Sequence, residues 1–254
     1  DRNIEYLLYQ VLVGAWPLTK ERTVAYIQKA SKEAKTHTSW LAPDAAYDEA
    51  LVGFVEAIFD DAQFQQMLED FVAPLIAPGR VNSLAQTLLK LTAPGVPDLY
   101  QGTELWDLSL VDPDNRRPVD YRQRMGLLRE LDGMKLEDVV ARQDEGLPKL
   151  FLIRRALKLR RRLPEAFGAE ASYEPLTAAG DGGRNIVAFT RWGVVATLVP
   201  RLVLGTRDGW ANTTVELPLG AWKNVFTGEP VEGGTVAVAD LLARFPVALL
   251  RLES

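Results

Sequence analysis

Residues 92–121 read TAPGVPDLYQGTELWDLSLVDPDNRRPVDY, and this run carries more structural information than any other part of the chain. A short apolar stretch, residues 96–100, is bounded by Pro94 and Gly95 before it and by Gly102 after it, which predicts a short buried strand. Glu104, Trp106, Asp107, Asp112, Asp114, Asn115, Arg116 and Arg117 then follow within fourteen residues. Acids, aromatics and arginines able to bond two acceptors at once suit a polar-ligand pocket. Such groups gather in the loops that follow barrel strands.

Working outward, the first ninety residues have helical periodicity. Tyr47, Leu51, Phe54, Val55 and Ile58 share one face, and Phe64, Met67, Leu68, Phe71, Val72 and Leu75 repeat the pattern. Asp60 or Asp61 is a candidate N-cap for the second of these helices, and Pro74 predicts a kink or stop near its end. An earlier helix is expected from about residue 19 to 35. Val81, Leu84, Leu88 and Leu91 predict a helix ending before Pro94. Further helices are expected around 120–131 and from about 150 to 163. Past residue 171, β-branched residues and turn signals increase. Residues 185–191, 194–199, 213–217, 223–226, 235–238 and 247–252 read as short strands, which suggests a small antiparallel sandwich. Gly180, Gly182 and Gly183 read as a hairpin turn.

Composition narrows the function classes. Charged residues make up 25% of the 254 and the net charge is −5, so nothing draws the chain as a whole to nucleic acid or to an acidic membrane. Zero cysteines exclude disulfides and thiolate metal sites, and the single His37 argues against a histidine metal centre. Asp112-Pro113-Asp114 is not a calcium loop: Arg117 stands where the sixth-position glycine would be, and Gln123 where the closing glutamate would be. No membrane partner or cofactor is expected, and a cytoplasmic location fits. The basic run Arg154, Arg155, Lys158, Arg160, Arg161 and Arg162 is interleaved with leucines and reads as the solvated face of a helix. Trp192, Trp210 and Trp222 read as packing residues rather than a sugar-stacking surface. The chain opens on Asp1 and enters an apolar stretch at once, so it is expected to be the C-terminal part of a longer polypeptide.

Gly95-x-Pro97-x-Leu99-Tyr100-x-Gly102-x-Glu104, followed by Asp114-Asn115-Arg116-x-Pro118, resembles the α-amylase superfamily of glycoside hydrolases at barrel strand 8 and the loop after it. Within that superfamily the chain is most similar to the maltooligosyltrehalose synthase family. Asp1-Arg2-Asn3, Glu5-Tyr6-Leu7, Lys32-Glu33-Ala34-Lys35, His37-Thr38-Ser39-Trp40, Asn82-Ser83-Leu84-Ala85-Gln86 and Phe245-Pro246-Val247 carry the resemblance along the chain. It implies a mixed α/β fold in two parts. Residues 1–171 would be a mostly helical portion with the last strand and helix of a (β/α)8 barrel, and 172–254 a small antiparallel β-sandwich.

The implied reaction is an intramolecular transglycosylation. The reducing-end α-1,4 bond of a maltooligosaccharide becomes an α,α-1,1 bond, with no cofactor. The superfamily's nucleophile, acid/base and supporting Asp follow strands 4, 5 and 7, so the resemblance places no catalytic carboxylate here and implies that this segment is inactive alone. Lys35, His37, Trp40, Tyr100, Glu104, Trp106, Asp107, Asp112, Asp114, Asn115, Arg116 and Arg117 are the candidate substrate-binding residues. Arg116 and Arg117 equally suit a rigidifying role through Asp112, Asp114 or Asp120. The expected partners are the maltooligosaccharide and the N-terminal catalytic part of the same enzyme. A non-catalytic sugar-binding domain and a piece of an α-amylase-type glycosidase are the alternatives.

Overall fold

The computed structural model describes residues 1–206 and 209–253. By contacts the chain divides into two compact units, Asp1–Ile76 with Leu108–Pro118, and Ala77–Asp107 with Val119–Ser254.

The first unit is helical. Helix α1 (Arg2–Gly14) is capped by the Asp1 carboxylate, which accepts from the amides of Asn3 and Ile4. Thr19 caps α2 (Lys20–Ala34) and Asp44 caps α3 (Ala45–Asp60). Each side-chain oxygen satisfies an amide that the first helical turn leaves without a partner. Asp61 does the same for α4 (Ala62–Thr92), accepting from Gln63 and Phe64 at 2.9 and 3.1 Å. Ile4, Leu8 and Leu12 of α1 pack with Ile27 of α2, Leu51, Val55 and Ile58 of α3, and Leu68 and Val72 of α4.

Two sequence expectations need correction here. The helices expected on either side of Pro74 are one: α4 runs for 31 residues through both Pro74 and Pro78. A proline removes one backbone hydrogen bond, and a long helix can absorb that loss when its other turns hold. The short strand expected at residues 96–100 does not form, and Val96 is 97% exposed. A strand needs a neighbouring strand to complete its ladder of hydrogen bonds, and none among the described residues pairs with this segment.

The second unit joins the end of α4, α5 (Tyr121–Glu130), α6 (Leu136–Ala141) and α7 (Leu147–Arg162) to an antiparallel sheet. Asp120 caps α5 through the amide of Gln123, and α7 stops at Leu163, just before Pro164. The strands are β1 (Tyr173–Pro175), β2 (Ala178–Ala179), β3 (Ile186–Arg191), β4 (Val195–Pro200), β5 (Thr214–Asn224), β6 (Pro230–Ala237) and β7 (Ala248–Leu252), with α8 (Val238–Leu242) between the last two. They form one hydrogen-bonded sheet in the order β1-β3-β4-β7-β5-β2, with β6 also on β5. The runs 213–217 and 223–226 belong largely to a single strand, because β5 continues through a register shift between Leu217 and Ala221. Pro218 and Gly220 look like a break in sequence; the backbone makes them a bulge. Residues 180–183 do not close a hairpin, since β2 pairs with β5 and not with β3.

Strand alternation sorts the side chains. Ala196 and Leu198 of β4, with Ala248 and Leu250 of β7, enter a core closed by Val215, Leu217, Trp222, Val238 and Leu241. Val195, Val199 and Leu249 point the other way, into a core shared with Leu150, Phe151 and Ile153 of α7. There the ring of Phe245 lies 5.8 Å from Phe151 and 5.1 Å from Phe226. Both faces of β4 are thus covered, which is why all six of its residues are buried. Trp222 and Trp210 serve the first of these cores, while Trp192 stands half-exposed just after β3.

Candidate functional site

In the first unit the 108–118 loop is fastened to α2. Asp114 begins a 3₁₀ turn, and Arg22 meets its carboxylate with two hydrogen bonds, Nε to Oδ1 at 2.9 Å and Nη2 to Oδ2 at 2.8 Å. The amide of Leu110 adds a third donor at 2.7 Å. These bonds, Arg22 first, hold the Asp114 carboxyl below the usual carboxylate range despite partial desolvation. Lys29 donates to the Asp112 carbonyl and lies 3.6 Å from its carboxylate. Sequence reading missed both α2 cations; Arg22 and Lys29 are seven residues apart, two helical turns, and so share a face.

Arg116 bonds Asp112 at 3.1 Å but keeps 67% of its side chain exposed. Arg117 donates to the Asp114 carbonyl at 3.0 Å and to the Ser109 hydroxyl at 3.1 Å, with 51% exposed. Both arginines therefore brace the loop while part of each guanidinium faces outward. The carboxamide oxygen of Asn115 is buried and has no hydrogen-bond partner among the described residues.

At the other end of α2, Lys35 takes a left-handed conformation (φ 56°) that turns the chain out of the helix. His37 stacks on Tyr47 with ring centres 4.8 Å apart, and its Nε2 lies 2.9 Å from an Asp1 carboxylate oxygen. Trp40 is 62% exposed, with the Lys32 ammonium 4.9 Å from its ring centre. An indole face presented beside a cation is the type of surface on which a sugar's C–H face can rest.

The remaining predicted residues lie in the second unit. Glu104 accepts from Arg124 at 3.0 Å, and the same guanidinium donates to the Gly102 carbonyl at 2.7 Å. Trp106 is partly buried, its indole nitrogen donating to the Gln143 carbonyl, with Arg80 6.0 Å from its ring centre. Tyr100 and Asp107 are exposed. Gly146 (φ +77°) opens α7 beneath this segment, and a side-chain carbon there would come within 2.9 Å of the Trp106 amide. Lys149, also missed, is only 8% exposed and donates to the Leu105 carbonyl at 3.2 Å. Burial pulls its pKa down, Lys90 adds to the effect, and Asp107 and Glu104 oppose it. A lysine inside the apolar run 147–153 was the available signal.

Asp114 is not placed as a general acid, whose pKa must be raised. Asp114 is shifted the opposite way, and donors occupy both its oxygens. Among the described residues no group of three or more His, Cys, Asp or Glu is placed to hold a metal ion, and no helix is long and apolar enough to cross a membrane.

No protein-family model matches the chain. A Mycobacterium tuberculosis protein provisionally named a maltooligosyl trehalose synthase is 39% identical over 251 residues, covering 96% of this chain and 31% of the relative. The solved structure of maltooligosyltrehalose synthase from Arthrobacter ramosus is 42% identical with a TM-score of 0.88, covering all of this chain and 33% of that one. A further maltooligosyl trehalose synthase crystal structure is 29% identical with a TM-score of 0.80, covering 99% of this chain and 33% of that one. Over essentially its whole length the chain is homologous to maltooligosyltrehalose synthases, and it spans about a third of their length.

Proposed function

We propose that the chain is the C-terminal part of a maltooligosyltrehalose synthase, contributing loops that position the sugar while the reacting carboxylates come from elsewhere in the enzyme. The observation that carries this reading is the 42% identity and 0.88 TM-score to the Arthrobacter ramosus enzyme along the entire chain. The braced 108–118 loop supports it. A loop that grips a sugar must itself be held, and Arg22, Lys29 and Asp114 hold this one while Arg116 and Arg117 keep donors exposed.

In this reading the whole enzyme converts the reducing-end α-1,4 bond of a maltooligosaccharide into an α,α-1,1 bond in the cytoplasm, without a cofactor. Residues 96–100 become the last strand of a (β/α)8 barrel once neighbouring strands pair with them, and 172–254 forms an accessory β-domain. The reducing-end glucose turns over before its anomeric hydroxyl captures the glycosyl group. Water is then the competitor, so segments that close over the sugar favour rearrangement over hydrolysis. Arg116 and Arg117 donate to sugar hydroxyls, and Trp40, Trp106 and Tyr100 offer apolar faces.

Chromatography of maltopentaose incubated with the 254-residue chain, and separately with the longer enzyme, tests the assignment. The chain alone is expected to leave maltopentaose unchanged, and the longer enzyme to yield a non-reducing isomer. Turnover by the chain alone, abolished by Asp112→Asn or Asp114→Asn, would overturn it.

A further inference from the structure

The basic run of α7 is more than a solvated helix face. Arg155, Lys158 and Arg162 line one side of a cavity of about 310 Å³, and Lys223 of β5 and Arg251 of β7 line the other. Leu159 and Val225 supply apolar wall. Among the described residues five cations from three elements converge and no acid lines the space, in a chain whose acids outnumber its lysines and arginines, 34 to 29. A helix C-terminus favours cations, which accounts for Arg162 but not for Lys223 or Arg251.

Neighbouring arginines show what ordinary pairing looks like here. Arg142 bonds Glu130 and Glu145, and Arg244 bonds Glu137 and Glu229. Among the described residues, only Arg251 of the cavity lining bonds a carboxylate, that of Glu253 at 2.6 Å. Arg155 lies against the Phe151 ring, and Lys158 feels Asp132, which Arg154 already binds. Arg162 and Lys223 have no acidic partner among the described residues. The carboxamide of Asn224, 2% exposed, supplies a second sign. Its oxygen accepts from Phe226 and Thr227, while its nitrogen donates to no described residue. Asn224 lines the cavity, so this nitrogen is a further donor available there.

Converged cations plus an idle donor describe a receptor for an anion with several acceptor oxygens. The volume stands at the small end of ligand pockets, roughly 300–1,000 Å³, and the apolar wall can take a compact body beside the charge. We infer that this cavity binds a small phosphoryl-bearing molecule, a phosphate ester or an inorganic polyphosphate. This inference does not rest on the proposed enzymatic role.

Calorimetry and thermal melting of the 254-residue chain, with glucose 6-phosphate, inorganic pyrophosphate and maltotriose as probes, test it. Saturable binding of glucose 6-phosphate or pyrophosphate, with Tm rising as ligand is added, is expected. Tighter binding of glucose 6-phosphate assigns the site to organic esters, and tighter binding of pyrophosphate to inorganic anions. Lys158→Gln with Arg162→Gln should weaken binding roughly tenfold or more. Arg161→Gln, which removes one charge from the same helix outside the cavity lining, should leave it unchanged. Lys223→Gln, on the sheet side, checks the result without touching α7. Absence of saturable binding of either phosphate at millimolar concentration, equal loss with Arg161→Gln, or maltotriose binding as tightly as the phosphates would overturn the inference.

Discussion

Arg22 and Asp114, ninety-two residues apart in sequence, meet through two parallel hydrogen bonds of 2.9 and 2.8 Å, with side chains only 19% and 13% exposed. Paired geometry of this kind is stronger than a single contact and fixes direction as well as distance. It makes α2 the anchor of the 108–118 loop, and it separates the residues that hold the loop from those that can reach outward.

Loss of the anchor should therefore cost stability where loss of an outward arginine does not. Arg22→Ala is expected to destabilise the chain by about 1.5–3 kcal/mol, the value of hydrogen bonds to a charged group in a partly buried setting. Arg116→Ala removes a pair exposed by 67% and 44% and should change stability by about 1 kcal/mol or less. Urea denaturation of both variants measures the difference. In the longer enzyme Arg116→Ala should lower activity at unchanged Tm; a parallel fall in Tm would make Arg116 a brace only.

The depressed pKa of Asp114 sets a pH dependence. Its folded value lies below its unfolded one, so the carboxylate contributes stability that is fully present above the unfolded value of about 4. That contribution fades as pH falls through the folded value. The Tm gap between the parent chain and Arg22→Ala should be full at neutral pH and shrink below about pH 4. A gap that stays constant to pH 3 would remove Asp114 as the partner that matters.

Arg191 is 1% exposed and meets no carboxylate among the described residues; it donates to the carbonyls of Ser172, Thr92 and Gly168 at 3.2–3.3 Å. Burial lowers its pKa. Its forked donors serve three carbonyls on two backbone segments, a geometry that lysine cannot copy. Arg191→Lys and Arg191→Ala should both lower stability by at least about 2 kcal/mol, because buried acceptors lose their donor. Thermal melts within a degree of the parent would contradict this.

Residues 172–254 expressed alone should behave poorly. The excision bares Val195, Val199, Phe226, Phe245, Val247 and Leu249, which α7 and its neighbours cover. The fragment is expected to bind a hydrophobic dye and self-associate, whereas 119–254, which keeps α5 to α7, should do so much less. Size-exclusion chromatography of the two fragments decides it.

The cap at Asp61 was legible because its carboxylate acts on amides only two and three residues away. The β-rich character past residue 171 was legible from alternation and turn residues. Long-range pairing was not: nothing near Asp114 in sequence announces Arg22, and nothing near Arg162 announces Lys223. The failed strand at 96–100 has the same origin, since its apolar residues state a capacity and a partner strand decides whether it is used. Lys149 and Arg191 escaped notice because a lone cation in an apolar or β-branched run looks like a surface residue until the packing is known.

Pro74 and Pro78 lie four residues apart in α4, so they remove two successive rungs from one column of its backbone ladder. The carbonyls of Asp70 and Pro74 are left without helical donors, and Gly79 adds backbone freedom just beyond. Turns that lack these bonds should open more readily than the turns on either side of them. Amide hydrogen exchange should consequently be faster at residues 75–80 than in the flanking turns, and limited proteolysis should find its first cut in the same place.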